Sequence, residues 1–282
     1  MKLSEYRAFT ERLRQNLAQD ERVIGLVAVG SMAEQDVLPD QWSDHDFFVV
    51  TRPGEQESLR AAADWLPDKD RIAIWFRDTA HGLKVIYDSG HLLEYAVFDT
   101  DEYEQIRVNR FRVLLDRGGI EEQSLRLVQK TADEALADPA ADRVQFGQFI
   151  SNLMVGAGRT WRGERLSGHE FIKGHALRQL VALLVKYLPA EKHSLLDNLS
   201  PVRRFELAYP EIGAELDAIF CLPPLGAAIR LLDVAERALA SAMPDYPAGY
   251  TALARRYLAA AGPGALTSYS FEPHPVEESS HD

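Results

Sequence analysis

The residues best suited to chemistry lie in the first third of the chain. Val27-Ala28-Val29 runs into Gly30-Ser31, and Trp42-Ser43-Asp44-His45-Asp46 opens a second apolar run, Phe47-Phe48-Val49-Val50. A strand that ends in Gly-Ser and enters a helix offers an anion free backbone N–H groups, a hydroxyl and a positive dipole end. Gly30 has no Cβ to obstruct a phosphate approaching the backbone. Asp44 and Asp46 are two apart at the head of a strand, so their side chains leave the same face. Carboxylates that close repel each other unless a cation lies between them. Oxygen ligands of this kind suit Mg²⁺, which keeps several waters and is shared with substrate phosphates.

The same residues also have purely structural readings. Ser31-Met32-Ala33-Glu34 has the spacing of a capping box, and Asp44 and Asp46 could simply face water at a strand entrance. Order favours chemistry: a phosphate cradle, then a metal pair, on consecutive strands, is what work on a nucleoside triphosphate needs. A third carboxylate, Glu94, lies inside the apolar run Leu92-Leu93-Glu94-Tyr95-Ala96-Val97-Phe98. Burying it unpaired costs several kcal/mol, so it is expected to face Asp44 and Asp46, holding metal or accepting a proton. Exposure on an edge strand is the alternative.

These side chains need a scaffold, and the apolar spacing predicts one. Leu3, Tyr6, Phe9, Leu13 and Leu17 form a helical stripe over 3–18. Val23–Val29, Phe47–Thr51, Ile72–Phe76, Leu83–Tyr87 and Leu92–Phe98 read as strands, and Gln56–Leu66 as a helix. From about Ile120 the period becomes helical. Leu125, Val128, Ala132 and Leu136 form one stripe, Phe146, Phe149, Ile150, Leu153 and Met154 a second, and Leu177, Leu180, Val181, Leu184 and Leu188 a third. The expected class is α+β: an N-terminal mixed-sheet domain over 1–115, a C-terminal bundle of five or six helices over 116–262, and a flexible tail over 263–282.

Composition limits the partners. The chain has 282 residues, 46% hydrophobic and 26% charged, the balance of an ordinary globular protein. Lys plus Arg total 31 against 43 Asp plus Glu, a formal charge of −12, and no dense basic stripe exists to bind a nucleic-acid backbone. A single cysteine, Cys221, excludes an internal disulfide and any multi-cysteine metal site. No apolar run is long enough for a membrane helix and no secretory signal is visible, so a cytoplasmic location is expected. Gly156-Ala157-Gly158-Arg159 lacks the preceding strand that a dinucleotide loop requires. In the helical half, Lys173 is the residue singled out as a phosphate contact.

Gly30-Ser31, Asp44-x-Asp46 and an acidic residue on a later strand together resemble the signature of the nucleotidyltransferase superfamily with the polymerase-β-like fold. Asp20-Glu21-Arg22 before the first strand and Trp42-Ser43-Asp44 entering the second are similar to the antibiotic branch, the lincosamide and aminoglycoside adenylyltransferases. The resemblance implies that Gly30 and Ser31 hold the β- and γ-phosphates and that Asp44 and Asp46 bind Mg²⁺. Glu94 then completes the metal site or acts as base, although many relatives carry Asp there. It further implies ATP or another nucleoside triphosphate as co-substrate, a small hydroxyl-bearing acceptor such as an aminoglycoside or lincosamide, pyrophosphate as product, and a homodimer. The alternatives are AMP transfer onto a protein, as in toxin–antitoxin pairs, and a nucleotide-binding module without chemistry.

Overall fold

In the computed structural model, which describes residues 1–136 and 139–260, the N-terminal half is built on one mixed sheet. Its strands are β1 (Val23–Val29), β2 (His45–Thr51), β3 (Ile72–Arg77), β4 (Gly82–Tyr87), β5 (Leu92–Phe98) and β6 (Phe111–Asp116). They lie in the order β3-β4-β5-β2-β1-β6. β2 and β5 run parallel, and every other neighbouring pair is antiparallel. Alternation along the strands sorts side chains between the two faces.

Helix α1 (Leu3–Ala18) covers one face, burying Tyr6, Phe9, Leu13 and Leu17 against Leu26, Ala28, Phe47, Val49, Leu93, Tyr95 and Val97. Each such side chain removed from water contributes about 1.5–3 kcal/mol. Two short helices, α2 (Gln56–Arg60) and α3 (Thr100–Tyr103), flank the sheet. The second face carries a smaller core of Val27, Val50, Phe98, Tyr103, Val108, Ile120 and Leu127, the last two from α4 (Ile120–Leu136). The Asp116 carboxylate starts α4 by accepting from the N–H groups of Gly118, Gly119, Ile120 and Glu121 at 2.8–3.0 Å. This second core stops short of the β3–β4 side of the sheet, where Lys84 and Glu94 remain accessible.

Several expectations shift. The helix expected over Gln56–Leu66 ends at Arg60, and β6 was not foreseen. The α4 stripe has a different phase: Leu125 is exposed, while Ser124, Leu127 and Thr131 are buried. Ser124 Oγ meets Tyr103 Oη at 2.7 Å, and Thr131 Oγ1 accepts from Val108 N–H at 3.2 Å. Because α4 gives Ile120 and Leu127 to the sheet core, it joins the first compact unit, Met1–Ala137 with Asp197–Leu199, instead of opening the helical domain at 116. Asn109 Nδ2 holds that returning segment through Asp197 Oδ1 (2.7 Å) and Asn198 Oδ1 (2.9 Å).

The second unit is helical. Its main helices are α5 (Pro139–Trp161), α6 (Arg165–His169), which continues through a π-helical segment (Glu170–Ala176) into α7 (Leu177–Tyr187), then α8 (Phe205–Ala208), α9 (Pro210–Ile219), α10 (Pro224–Leu239) and α11 (Ala248–Ala260). Its core joins Phe146, Phe149 and Leu153 to Leu180, Leu184, Leu231, Leu232 and Ala254. Among the described residues, no helix is long and apolar enough to cross a membrane. The tail expected over 263–282 lies outside the described residues.

Candidate active site

β1 ends at Val29, and Gly30 then takes φ +57°, in the left-handed region that glycine enters without strain. A single 3₁₀ turn, Gly30–Ala33, follows and is terminated by Glu34, also left-handed at φ 52°. The helix N-terminus expected here is therefore only one turn of four residues. The capping-box reading does not hold either: Val29 is the cap position, no side chain caps the turn, and Glu34 closes it. Glu34 is instead gripped by Arg7 Nε at 3.1 Å and Arg112 Nη1 at 3.3 Å. Arg112 Nη2 also donates to Met32 O at 3.0 Å, and Arg110 Nε pairs with Asp36 Oδ2 at 3.0 Å. These arginines fasten the Gly-Ser loop. Ser31 is buried within it, its hydroxyl beside the Tyr6 phenol.

Asp44 and Asp46 flank His45, whose side chain turns into the core. Its ring is fully buried, stacked on Tyr6 with centroids 3.7 Å apart. His45 Nε2 lies 3.0 Å from Thr10 Oγ1 and 3.3 Å from Tyr6 O, and the Thr10 hydroxyl donates to that same carbonyl. A carbonyl only accepts, so Nε2 carries the proton and Nδ1 accepts from His91 Nε2–H at 2.8 Å. Burial, then the nearby His91, pushes the His45 pKa down to about 3, keeping the ring neutral. With His45 turned inward, alternation along β2 sends Asp46 to the other face, whereas Asp44 precedes the strand. The Asp44 carbonyl accepts from Tyr6 Oη at 2.8 Å, tying the strand entrance to α1. Burial, reinforced by the charges of Asp46, Asp44 and Glu34, holds that phenol above its ordinary pKa.

The parallel register of β2 and β5 sets Asp46 directly beside Glu94 on one face. Gly30 closes in from the other side: a Cβ placed there would lie 2.7 Å from Asp46 Oδ2. Glu94 is neither buried nor unpaired. Its side chain is 42% exposed, and Oε1 accepts from Lys84 Nζ at 2.9 Å. β5 buries Leu93, Tyr95 and Val97 against α1, which leaves Glu94 on the open face. Lys84 stands opposite Glu94 on β4, with Asp78 Oδ2 at 3.6 Å, and the paired carboxylate holds the ammonium above its ordinary pKa. Val29, Asp46, Phe48, Asp78, Lys84 and Glu94 line a depression of about 200 Å³. Asp44 borders a separate cavity of about 780 Å³, with Phe9, Arg12, Trp42, Arg71 and His91.

Gly30, Asp46 and Glu94 thus converge, while Asp44 lines the separate cavity beside α1. Among the described residues, no three His, Cys, Asp or Glu side chains are arranged as a ready metal cage. The donors nonetheless fit Mg²⁺: all are carboxylate oxygens, and the absent Gly30 Cβ leaves space against Asp46 Oδ2. Lys173 is engaged inside the helical unit, donating to Phe220 O at 2.8 Å and Leu222 O at 2.6 Å beyond the end of α9. Sequence reasoning missed His45 and Lys84. His45 sits between two aspartates and Lys84 alone among apolar strand residues, and neither pattern reveals the partner.

Comparison with curated proteins finds no match. Among solved structures, an aminoglycoside 6-adenyltransferase from Bacillus subtilis shares 14% identity over 88% of this chain and 97% of that one, with a TM-score of 0.35. The family profile described as Nucleotidyltransferase domain matches residues 10–133, the stretch that contains Gly30, Asp44, Asp46 and Glu94. The chain therefore carries an N-terminal α/β domain of the nucleotidyltransferase, polymerase-β-like fold, followed by a helical region.

Proposed function

We propose that this protein transfers AMP from ATP to a hydroxyl of a small molecule and releases pyrophosphate. The observation that carries the reading is the side-by-side register of Asp46 and Glu94 with Gly30 packed against Asp46. Two carboxylates side by side on adjacent strands repel each other. Their arrangement is accounted for by a cation and a triphosphate between them.

Each residue has a part. The Gly30–Ser31 turn, fastened by Arg7 and Arg112 through Glu34, offers its backbone and the Ser31 hydroxyl to the β- and γ-phosphates. Asp44 and Asp46 would hold divalent metal, and Glu94 would complete that site or take the acceptor proton. Bound Mg²⁺ would supply Lewis-acid stabilisation of charge on the triphosphate. The acceptor oxygen forms a bond to the α-phosphorus, the bond from that phosphorus to the bridging oxygen breaks, and pyrophosphate carries away the electron pair. With Glu94 as base, the acceptor proton passes to it and from there to solvent. Fixed positioning of the reactants accounts for much of the acceleration.

The test is pyrophosphate release from ATP with Mg²⁺ across a panel of hydroxyl-bearing acceptors. Aminoglycosides and lincosamides come first, as the classes to which the sequence resemblance points. At least one acceptor should give turnover that falls by about three orders of magnitude or more in Asp46→Asn. Asp46→Asn should still melt like the parent chain. Undiminished turnover in that variant removes the mechanism.

A further inference from the structure

Across three neighbouring strands of the open face, Lys84, Glu94 and Asp46 form one row in register, β4 to β5 to β2. Directly opposed residues in a sheet have Cβ atoms about 5 Å apart, so Glu94 stands between an ammonium on one side and a carboxylate on the other. Leu83 and Val85 are buried on the far face, which fixes the direction in which Lys84 leaves its strand. Its only freedom is in the four-carbon stem. The ammonium uses that freedom to meet Glu94 Oε1 at 2.9 Å, with Asp78 Oδ2 a second acceptor at 3.6 Å. This is a charge-assisted hydrogen bond to the very carboxylate that the nucleotidyl-transfer reading assigns to metal or proton.

We propose that Lys84 is a resident counter-ion of Glu94 that competes with divalent metal for this carboxylate and so makes metal binding depend on the incoming triphosphate. The inference rests on the reading of Asp46 and Glu94 as a metal site. A dication seated against Asp46 and Glu94 places like charge beside the Lys84 ammonium. Metal arriving alone must break the Lys84–Glu94 pair without compensation. Metal arriving with a triphosphate brings negative oxygens to which the displaced ammonium can turn. Lys84 is therefore a positioning residue: it acts through Glu94, keeps that side chain placed in the metal-free protein, and discourages metal without nucleotide.

The test uses Mn²⁺ alone, with no nucleotide, and reads free Mn²⁺ by electron paramagnetic resonance during titration of the full chain. Lys84→Met should bind Mn²⁺ about fivefold more tightly than the parent, the scale of a half-exposed ion pair. Lys84→Arg, which keeps the charge, should stay close to the parent. In a Glu94→Gln background, Lys84→Met should change the affinity little. Equal or weaker Mn²⁺ binding by Lys84→Met, or binding too weak to detect in both proteins, overturns the proposal. So does a tightening that persists undiminished with Glu94→Gln, because it would reflect net charge and not the pair. Asp46→Asn separates the two levels: if it binds Mn²⁺ like the parent, the metal-site reading itself fails, whatever Lys84 does.

Discussion

Gly30 combines two demands that no other residue meets. Its φ of +57° costs an L-residue about 1–2 kcal/mol, and a Cβ there would press on Asp46 Oδ2 at 2.7 Å. Gly30→Ala should therefore lower stability by about 1–3 kcal/mol and displace the Asp46 carboxylate. Misplacement on the scale of an ångström costs turnover about a hundredfold, so activity should fall further than the melting shift accounts for. Parallel thermal melts and pyrophosphate assays check this, and an activity loss no larger than the unfolded fraction would deny the contact a role. His45 supports a separate expectation. Its folded pKa of about 3 lies below the ordinary value near 6.5. Between those values the unfolded chain binds the extra proton, so His45's share of stability is complete above about pH 6.5 and is lost as pH falls toward 3. The slope is at most about 1.4 kcal/mol per pH unit from this group. His45→Phe, which keeps the stack on Tyr6, should flatten the fall in urea-unfolding free energy from pH 7 to pH 5. Equal slopes in both proteins would exclude His45 as the source.

Short elements around the sheet depend on single polar anchors. Arg60, at the end of α2, is buried, and its Nε donates to the Val97 carbonyl of β5 at 2.9 Å. Nη1 reaches Glu57 at 2.7 Å, and Nη2 pairs with Glu102 of α3. Arg60→Leu leaves Val97 O and Glu102 without that partner and should cost about 2–3 kcal/mol. The urea midpoint should drop while the affinity for ATP changes less than twofold; an unmoved midpoint would mean that the flanking helices hold without it. Such anchors also explain what the sequence made legible. β1, β4 and β5 follow from their apolar runs, because burial on one face imposes alternation. The same alternation placed Asp46 and Glu94 on one side, although their adjacency came only from pairing β2 with β5. β6 is hard to read because Arg112 interrupts its short apolar run and Arg110 and Arg117 bracket it, and their guanidinium groups bind carboxylates and backbone carbonyls. The α4 stripe was misplaced because Ser124 and Thr131 are buried through hydrogen bonds to Tyr103 and Val108, which no hydrophobic period records. α2 ends at Arg60, and Trp65 Nε1 bonds back to Leu59 O and Ala62 O across the turns that follow. Lys84, likewise, means little until its strand partner is known.

At the scale of the molecule, each unit closes its own core. The cluster containing Leu13 draws on α1 and the sheet, and the cluster containing Leu231 draws on α5, α7, α9, α10 and α11. Both leucines are fully buried, and truncating either to alanine removes apolar contacts worth about 2–5 kcal/mol. A chain built this way is not obliged to unfold as one step, so a single melting temperature is a poor measure of what each truncation does. Amide hydrogen exchange resolves the question because opening free energies differ between cooperative units. In Leu231→Ala, protection should fall across α7 and α10 and remain at the parent level in β1, β2 and β5. In Leu13→Ala it should fall in β2 and β5, the strands that carry Asp46 and Glu94, and ATP binding should weaken with it. If Leu231→Ala depressed β2 as strongly as α10, the cores would open together and the integrity of the sheet site would depend on the helical region as well.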